Sequence, residues 1–188
     1  VLTFSSDIRL RTRFYAFTRT KGETQFHKIV WGPDRDKVRK EVDVLSKLSV
    51  RQKLFQTNEI VDIVESNRHL LLTYRLLPEE FYALGKKPMD LADLVVGYST
   101  ANNLRTEVQF RDLARFDWFS NFRERFRKSD FYRYLLSFWS DSDPLQVLFV
   151  HGDLGSENVF TDGNMYLIID WEKASDFGPK WTDRTGIY

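Results

Sequence analysis

The feature that most constrains this chain is a polar string at residues 151–158, His-Gly-Asp-Leu-Gly-Ser-Glu-Asn, set between strand-like apolar segments. Residues 147–150 lead into it as a predicted buried strand. Residues 159–169 leave it as a predicted hairpin with Asp-Gly-Asn at its turn, and Asp170 follows directly. The pattern predicts that polar groups collect at one edge of a rigid apolar scaffold.

Three side chains of this region have the types that phosphoryl transfer requires. Asn158 lies five residues after Asp153, and Asp170 lies twelve residues after Asn158. The chemistry needs a carboxylate that orients and deprotonates an attacking hydroxyl, and oxygen ligands that hold Mg²⁺ on nucleotide phosphates. We predict Asp153 as the catalytic residue and Asn158 and Asp170 as metal ligands.

The residues of the polar string at 151–158 resemble a known family motif. The order Asp, Asn, Asp is that of the protein-kinase catalytic loop and metal-binding segment. The string His-Gly-Asp-Leu-Gly-x-x-Asn, however, resembles the aminoglycoside phosphotransferases and, more broadly, the choline-kinase-like small-molecule kinases. The resemblance implies ATP and Mg²⁺ as cofactors and a kinase that phosphorylates an alcohol group. It also implies that the His151 ring holds the catalytic loop and that Asp183 braces that loop.

The resemblance further implies an α+β, two-lobed protein-kinase-like fold, with a small antiparallel sheet plus helix lobe and a mainly helical catalytic lobe. We predict a nucleotide-binding lobe at residues 1–77 and a catalytic lobe at residues 78–188, truncated relative to the family. In the first lobe, strand-like residues 8–18 and 25–31 form a predicted hairpin. The helix that follows has Asp34 as its predicted cap.

Lys28 and Glu41 are the predicted phosphate-binding pair. Glu41 falls within the apolar stripe of the helix, and a carboxylate that points inward needs a cation. Lys28 lies on the strand just before. In kinase-like folds such a lysine reaches the α- and β-phosphates and pairs with a helix glutamate. The alternative is a surface lysine and a solvated glutamate.

The remaining nucleotide contacts are predicted less directly. An adenine ring would hydrogen-bond to backbone between Tyr74 and Leu76, before the hinge between the lobes. Kinase relatives cover the phosphates with a glycine-containing loop, whereas the only glycine upstream of Lys28 belongs to a hairpin turn. Either Ser5 and Ser6 supply hydroxyl and backbone donors instead, or the loop preceded the first residue.

Three arginines, Arg9, Arg11 and Arg13, alternate along the first predicted strand. We expect them to decorate a solvent-exposed sheet face. The alternative is that they face the phosphates and compensate for the missing loop.

Composition narrows the function classes. The formal net charge of +1 argues against a nucleic-acid-binding protein, and the lack of cysteine excludes disulfides and thiolate metal sites. There is no stretch as long and apolar as a transmembrane helix and no secretory pattern, so we expect a cytoplasmic protein. The aromatic and arginine-rich residues 110–139 are predicted as core helices broken near Ser129. A peripheral membrane or glycan contact is the alternative.

The acceptor stays open among a sugar or other glycan, an aminoglycoside and an amino alcohol. Acidic residues near the predicted site would attract a polycationic acceptor; they are Glu157, Glu172, Asp176 and Asp183. Two other functions remain as alternatives. One is a non-catalytic kinase-like interaction module of a larger protein, and the other is a magnesium-dependent hydrolase or nuclease that uses the same carboxylates.

Overall fold

The computed structural model describes residues 3–5, 12–20, 23–48, 54–76, 79–84, 91–138, 144–179 and 182–185. Its strands are β1 (Thr3–Ser5), β2 (Arg13–Thr20), β3 (Glu23–Trp31), β4 (Gln56–Thr57), β5 (Ile60–Glu65), β6 (His69–Arg75), β7 (Tyr82–Ala83), β8 (Arg105–Gln109), β9 (Pro144–Val150), β10 (Val159–Thr161), β11 (Tyr166–Ile168) and β12 (Ser175–Pro179). Its α-helices are α1 (Asp34–Lys47), α2 (Leu91–Ala101), α3 (Asp117–Phe126), α4 (Asp130–Phe138) and α5 (Thr182–Thr185), and short 3-10 turns span Phe110–Arg115, Ser156–Asn158 and Trp171–Lys173.

The chain forms two compact units that are interleaved in sequence. The first comprises Val1–Lys87 and Gly155–Lys173, and the second comprises Pro88–Leu154 and Ala174–Tyr188. The sequence predicted the hairpin of β10 and β11 within the catalytic lobe, but its contacts group it with the first unit. The predicted lobe boundary at residue 77 stays a prediction. The α+β class is confirmed.

An antiparallel sheet in the order β1-β2-β3-β6-β5 forms the body of the first unit. Helix α1 covers one face of this sheet, because its apolar stripe and alternate residues of β3 and β6 are both buried. The buried side chains at this interface are Val38, Val44 and Leu45 from the helix, and Val30, Leu70 and Leu72 from the strands. Lys28 lies on β3 two residues before Val30, and its side chain faces the helix with them.

The start of α1 differs from the prediction. Its N-cap residue is Pro33, and no side chain caps the helix. Asp34 is the first helical residue, and its buried carboxylate instead accepts hydrogen bonds from Thr12 and Arg13 on the sheet and from Lys37. The cap prediction was therefore wrong, since tertiary partners satisfy this carboxylate in place of helix amides.

The predicted hairpin is present. β10 and β11 pair antiparallel, and Val159 lies opposite Ile168. The Asp162 carboxylate accepts the backbone N–H groups of Asn164 and Met165 at 2.8 and 2.7 Å and closes the turn. Two short strands extend this ladder, β7 antiparallel to β10 and β4 parallel to β11. Trp171 then anchors the end of the hairpin, because its indole is fully buried and donates to the Ile168 carbonyl at 3.0 Å.

The second unit contains a sheet as well as helices. Strand β9 is the centre of an antiparallel sheet in the order β12-β9-β8, and α2 packs on it through the Ser99 hydroxyl, which donates to the Phe149 carbonyl at 2.7 Å. This unit is less helical than predicted. Strand β8 escaped prediction because only Val108 of its five residues is buried, which leaves no visible alternation of apolar residues.

The aromatic segment forms the predicted pair of helices. α3 ends before Ser129 and α4 begins after it, and the Ser129 hydroxyl bonds the Phe126 carbonyl and the Tyr132 amide. Phe119 is buried in a core with Val108, Leu113 and Val147, whereas the basic side chains of α3 are exposed. The described residues contain no helix with the length and hydropathy needed to cross a bilayer.

Leu72 tests the packing of the first sheet against α1. Leu72→Ala is expected to lower the free energy of unfolding by about 2–5 kcal/mol, because it leaves a cavity in the core. Ile63 is the register partner of Leu72 but is 45% exposed, so Ile63→Ala serves as the control and should cost less than about 1 kcal/mol. Urea denaturation measures both. Equal losses in the two variants would contradict the packing described.

Candidate functional site

Lys28 is the centre of a charged cluster in the first unit. Its ammonium Nζ donates to Glu41 Oε2 at 2.8 Å, to Asp170 Oδ1 at 3.2 Å and to Glu172 Oε1 at 2.6 Å. The predicted contact between Lys28 and Glu41 is therefore present. Glu172 was not predicted as a partner of Lys28, and it makes the shortest of the three contacts.

The cluster is buried, and burial decides its electrostatics. Lys28 is 5% exposed and Glu41 is 0% exposed. Burial by itself lowers the pKa of Lys28, but the charges of Glu41, Asp170 and Glu172 oppose it and raise that pKa well above its ordinary value. Burial raises the pKa of the Glu41 carboxyl, although Lys28 works against this shift. The lysine is accordingly a charged ammonium at neutral pH.

Three carboxylates, those of Glu41, Asp170 and Glu172, bring oxygen atoms within 4.8 Å of one another, a spacing that also suits a metal ion. All three converge on the Lys28 ammonium, which therefore already occupies the centre of the group. The carboxylate with surface left for another cation is that of Asp170, whose side chain is 40% exposed compared with 1% for Glu41 and 8% for Glu172.

Asp170 and Asn158, the two predicted metal ligands, lie at the same end of the hairpin. The Ile169 amide donates to the Asn158 carbonyl at 3.0 Å, so the backbone on either side is held together there. Asp170 has φ +61°, a left-handed conformation that is uncommon for a residue with a side chain. Such backbone conformations concentrate at functional sites, where surrounding contacts maintain them. Here the ion pair to Lys28 and the buried Trp171 fix the residue on both sides.

Arg13 lies on the same sheet face as Lys28, and this corrects the prediction that it would be exposed. Its Nε donates to Asp34 Oδ2 at 2.9 Å, and its two terminal nitrogens contact both carboxylate oxygens of Glu172 at 2.9 and 2.8 Å. Its side chain is 16% exposed because these two carboxylates hold it inward. The hydrogen bond from Arg13 is the main cause of the lowered pKa of Asp34. Arg9 and Arg11 lie outside the described residues.

The loop after β9, in the second unit, has the bracing that the family resemblance implied. Both oxygens of the buried Asp183 carboxylate accept backbone N–H groups, from His151 at 2.8 Å and from Gly152 at 2.8 Å. The His151 ring, fully buried, accepts the Asp153 amide on Nδ1 at 3.1 Å. Gly152 has φ +89°, a conformation that glycine adopts without strain. The loop backbone that carries Asp153 is therefore held by side chains from two directions.

Two of the four acidic residues expected to attract a cationic acceptor have other roles. Asp183 is 2% exposed and binds the loop backbone, and Glu172 is 9% exposed and binds Lys28 and Arg13. That expectation was wrong for both of them. Glu157 and Asp176 are exposed, and their predicted role stays a prediction.

The predicted adenine and phosphate contacts are placed as follows. Tyr74 lies in β6 with its ring buried, and its hydroxyl has no hydrogen-bond partner among the described residues. Burial and the charge of Glu41 raise the pKa of this hydroxyl. The Leu76 amide donates to the Thr24 carbonyl at 3.2 Å. Ser5 pairs with β2 in the sheet. Ser6 lies outside the described residues.

The bracing of the loop by Asp183 can be tested by Asp183→Asn. One of the two backbone N–H groups would then face an amide donor, so the free energy of unfolding is expected to fall by about 1–3 kcal/mol. Asp112→Asn, at an exposed carboxylate of the same unit, is the matched control and should change stability by less than about 0.5 kcal/mol. Urea denaturation measures both, and an unchanged Asp183→Asn variant would contradict the bracing role.

The ion pair of Asp34 and Arg13 predicts a pH dependence of stability. Because the folded state lowers the pKa of Asp34, its stabilising effect is complete above the unfolded value of about 3.9 and declines as the pH falls below it. The destabilisation by Asp34→Asn, measured by urea denaturation, should therefore shrink between about pH 5 and about pH 2. Asp36→Asn, at an exposed carboxylate of the same helix turn, is the control. A destabilisation independent of pH would contradict the assignment.

Comparison with solved structures shows the fold. Spectinomycin phosphotransferase APH(9)-Ia, in complex with ADP and spectinomycin, matches at 13% identity and a TM-score of 0.56, over 97% of this chain and 66% of that one. A thermostable mutant of aminoglycoside phosphotransferase APH(4)-Ia, in a ternary complex with AMP-PNP and hygromycin B, matches at 20% identity and a TM-score of 0.60, over 97% of this chain and 70% of that one. This chain thus spans about two thirds of the length of these relatives.

A search of curated protein sequences gave no significant match. The model of one protein family, described as the phosphotransferase enzyme family (APH), matches residues 12–179. That range contains Lys28, Glu41 and the hairpin with Asn158 and Asp170, together with the loop of Asp153. The chain therefore belongs to the APH phosphotransferase enzyme family.

Proposed function

We propose that this protein is an ATP- and Mg²⁺-dependent phosphotransferase that moves the γ-phosphoryl group to a hydroxyl of a small molecule or glycan. The observation that carries the proposal is the buried ion pair of Lys28 and Glu41 in contact with Asp170. A buried ammonium costs free energy that its carboxylate partners must offset, and phosphoryl transfer depends on fixed positive charges of this kind.

Lys28 is proposed to neutralise negative charge on the nucleotide phosphates. Its position on the central strand β3, with Glu41 behind it on α1, gives the ammonium little freedom. A charge held in place in advance stabilises the transition state without a cost of reorganisation. The adenine contact is proposed at the backbone of Tyr74 to Leu76. A contact of Ser5 or Ser6 with phosphate is part of the same proposal.

Asn158 and Asp170 are proposed to hold Mg²⁺. An amide oxygen and a carboxylate are ligands that this ion prefers, and the backbone bond between Ile169 and Asn158 keeps the two residues at one end of the hairpin. The partly exposed Asp170 side chain has an oxygen to offer in addition to the one that contacts Lys28. When bound, the ion supplies positive charge to the phosphate oxygens.

Asp153 is proposed to orient the acceptor hydroxyl and accept its proton. The loop contacts from His151 and Asp183 support this role, because they fix the backbone that carries Asp153. The carboxylate does not need to be a strong base. In a loose transition state most of the acceleration comes from positioning and from fixed charges.

The acceptor class is proposed as a sugar or other glycan, an aminoglycoside or an amino alcohol. The two relatives are described with spectinomycin and with hygromycin B. These relatives support a small-molecule acceptor, and their low identity to this chain leaves the choice among the three classes open. Exposed Glu157 and Asp176 would favour an acceptor that carries amino groups.

Titration calorimetry with AMP-PNP, in Mg²⁺ and in EDTA, tests the proposal. Wild-type protein should bind the nucleotide more tightly in Mg²⁺, and Asp170→Ala should lose most of this gain because a metal ligand is gone. Asp153→Ala should bind within about twofold of wild type, since Asp153 is proposed to contact the acceptor and not the nucleotide.

Asp112→Ala, at an exposed residue, is the control for loss of a carboxylate. Folded wild-type protein that does not bind AMP-PNP would contradict the proposed function and favour the non-catalytic module. Mg²⁺-dependent binding that is unaffected in Asp170→Ala would contradict the metal assignment.

A further inference from the structure

We propose that Arg13 and Glu172 are positioning residues that form a second clamp on Lys28, in addition to the one formed by Glu41. This inference rests on the proposed function, because it concerns the lysine that would bind the nucleotide phosphates. It assigns to these two residues a role that differs from those predicted from the sequence and that the family match does not supply.

All hydrogen-bond donors of the Lys28 ammonium are in use. An ammonium has three N–H donors, and Glu41, Asp170 and Glu172 accept all three. A phosphate oxygen can therefore contact Lys28 only in place of one of these carboxylates. The contact with Asp170 is the longest, at 3.2 Å, and its carboxylate is the most exposed. Glu41 and Glu172 are buried, so they stay while the contact with Asp170 is replaced.

Arg13 holds the Glu172 carboxylate in a fixed orientation. Its Oε1 accepts from Lys28 at 2.6 Å and from Arg13 at 2.9 Å, and its Oε2 accepts from Arg13 at 2.8 Å. A guanidinium that binds both oxygens of a carboxylate fixes its orientation as well as its place. Arg13 is itself held by Asp34, which accepts hydrogen bonds from Thr12 and Lys37 at 2.7 and 3.0 Å.

These contacts join Lys28 to α1 by two routes. Glu41 binds the ammonium directly from the middle of the helix. Glu172 binds it from the segment after β11 and is connected through Arg13 to Asp34, the first residue of the same helix. The ammonium is thus fixed between two buried carboxylates, which restricts it more than one partner could. Because Glu172 is buried and its carboxylate already contacts two cations, we assign it to the lysine and not to a metal ion.

The test compares Glu172→Gln, Arg13→Met and the double variant with wild type. A glutamine can still accept from Lys28, but its amide would face Arg13, so the fixed orientation is lost. We expect AMP-PNP affinity at saturating Mg²⁺ to fall about tenfold in Glu172→Gln, the scale of one charge-assisted hydrogen bond. The double variant should bind AMP-PNP as tightly as the single variant with the lower affinity, because both substitutions remove the same clamp.

The Mg²⁺ dependence separates a positioning residue from a metal ligand. At a fixed AMP-PNP concentration, the Mg²⁺ concentration for half-maximal binding should stay within about twofold of wild type in Glu172→Gln. The matched controls are Arg39→Met and Glu65→Gln, which remove an exposed arginine–glutamate pair of the same unit and should leave binding unchanged. Arg13→Met can fold poorly, since it removes one of the two cations that contact each of the buried carboxylates of Asp34 and Glu172. Glu172→Gln carries the test in that event.

Three results would overturn the clamp. The first is unchanged or tighter nucleotide binding in Glu172→Gln. The second is a raised Mg²⁺ requirement as the main effect of that substitution. The third is a double variant whose fold-loss of AMP-PNP affinity equals the product of the two single fold-losses. The first would mean that Glu172 only competes with phosphate, and the second that it binds metal.

A nucleotide-free measurement separates failure of the clamp from failure of the proposed function. Acylation of lysines by an amine-reactive ester, followed by mass spectrometry, reports how firmly Lys28 is held, with the exposed Lys40 as internal reference. Glu172→Gln should raise the relative labelling of Lys28 about tenfold or more, the same single-bond scale. Raised labelling in a protein that binds no AMP-PNP would keep the clamp and reject the nucleotide site. Unchanged labelling would reject the clamp whatever the nucleotide does.

Discussion

The described part of the first unit depends on one buried ammonium and the carboxylates that surround it. Lys28 contacts side chains from α1 and from the segment after β11, regions that lie far apart in the sequence. Burying a lysine costs free energy that the carboxylates must offset, and removing the lysine would leave Glu41 and Glu172 as buried carboxylates without this cation. The cluster therefore ties strand, helix and hairpin end into one arrangement, and that arrangement is the proposed nucleotide site.

The apolar surroundings explain why the carboxylates converge. Trp171 lies between Asp170 and Glu172, fully buried, and stacks on Phe55 with a centroid separation of 5.8 Å. Its insertion into the core turns the residues on either side of it toward the sheet face that carries Lys28. The left-handed backbone at Asp170 is maintained by the same packing. A large apolar anchor thus positions two charged neighbours, one half-exposed and one buried, for different roles.

The parts of the site that could be predicted from sequence are those encoded by local pattern or by resemblance to a family. The hairpin followed from strand alternation and an Asp-Gly-Asn turn, and Glu41 was predicted to need a cation because it lies in the apolar stripe of a helix. The bracing of the His151 loop by Asp183 was predicted from the resemblance of the sequence motif to the family. Each of these contacts was confirmed in the structure, while the functional roles of the residues stay predictions.

The missed features depend on long-range pairing. Arg13 and Glu172 are 159 residues apart, and nothing local distinguishes Arg13 from a surface arginine on an alternating strand. Asp34 was interpreted as a cap for a similar reason, since its partners Arg13 and Thr12 come from the start of β2 and the residue before it, and not from its own helix turn. The three-stranded sheet of the second unit was missed because β8 is mostly polar and exposed. In each case the tertiary partner, not the local sequence, determines where the side chain points.

The most direct test of this account is a crystal structure of the protein with AMP-PNP and Mg²⁺. The account predicts a phosphate oxygen within hydrogen-bonding distance of Lys28 Nζ, with the contacts to Glu41 and Glu172 retained and the one to Asp170 replaced. It also predicts the metal on Asn158 and Asp170. A nucleotide bound elsewhere, or one bound here while Lys28 keeps all three carboxylates, would contradict the central claim that this buried ammonium is the phosphate-binding charge.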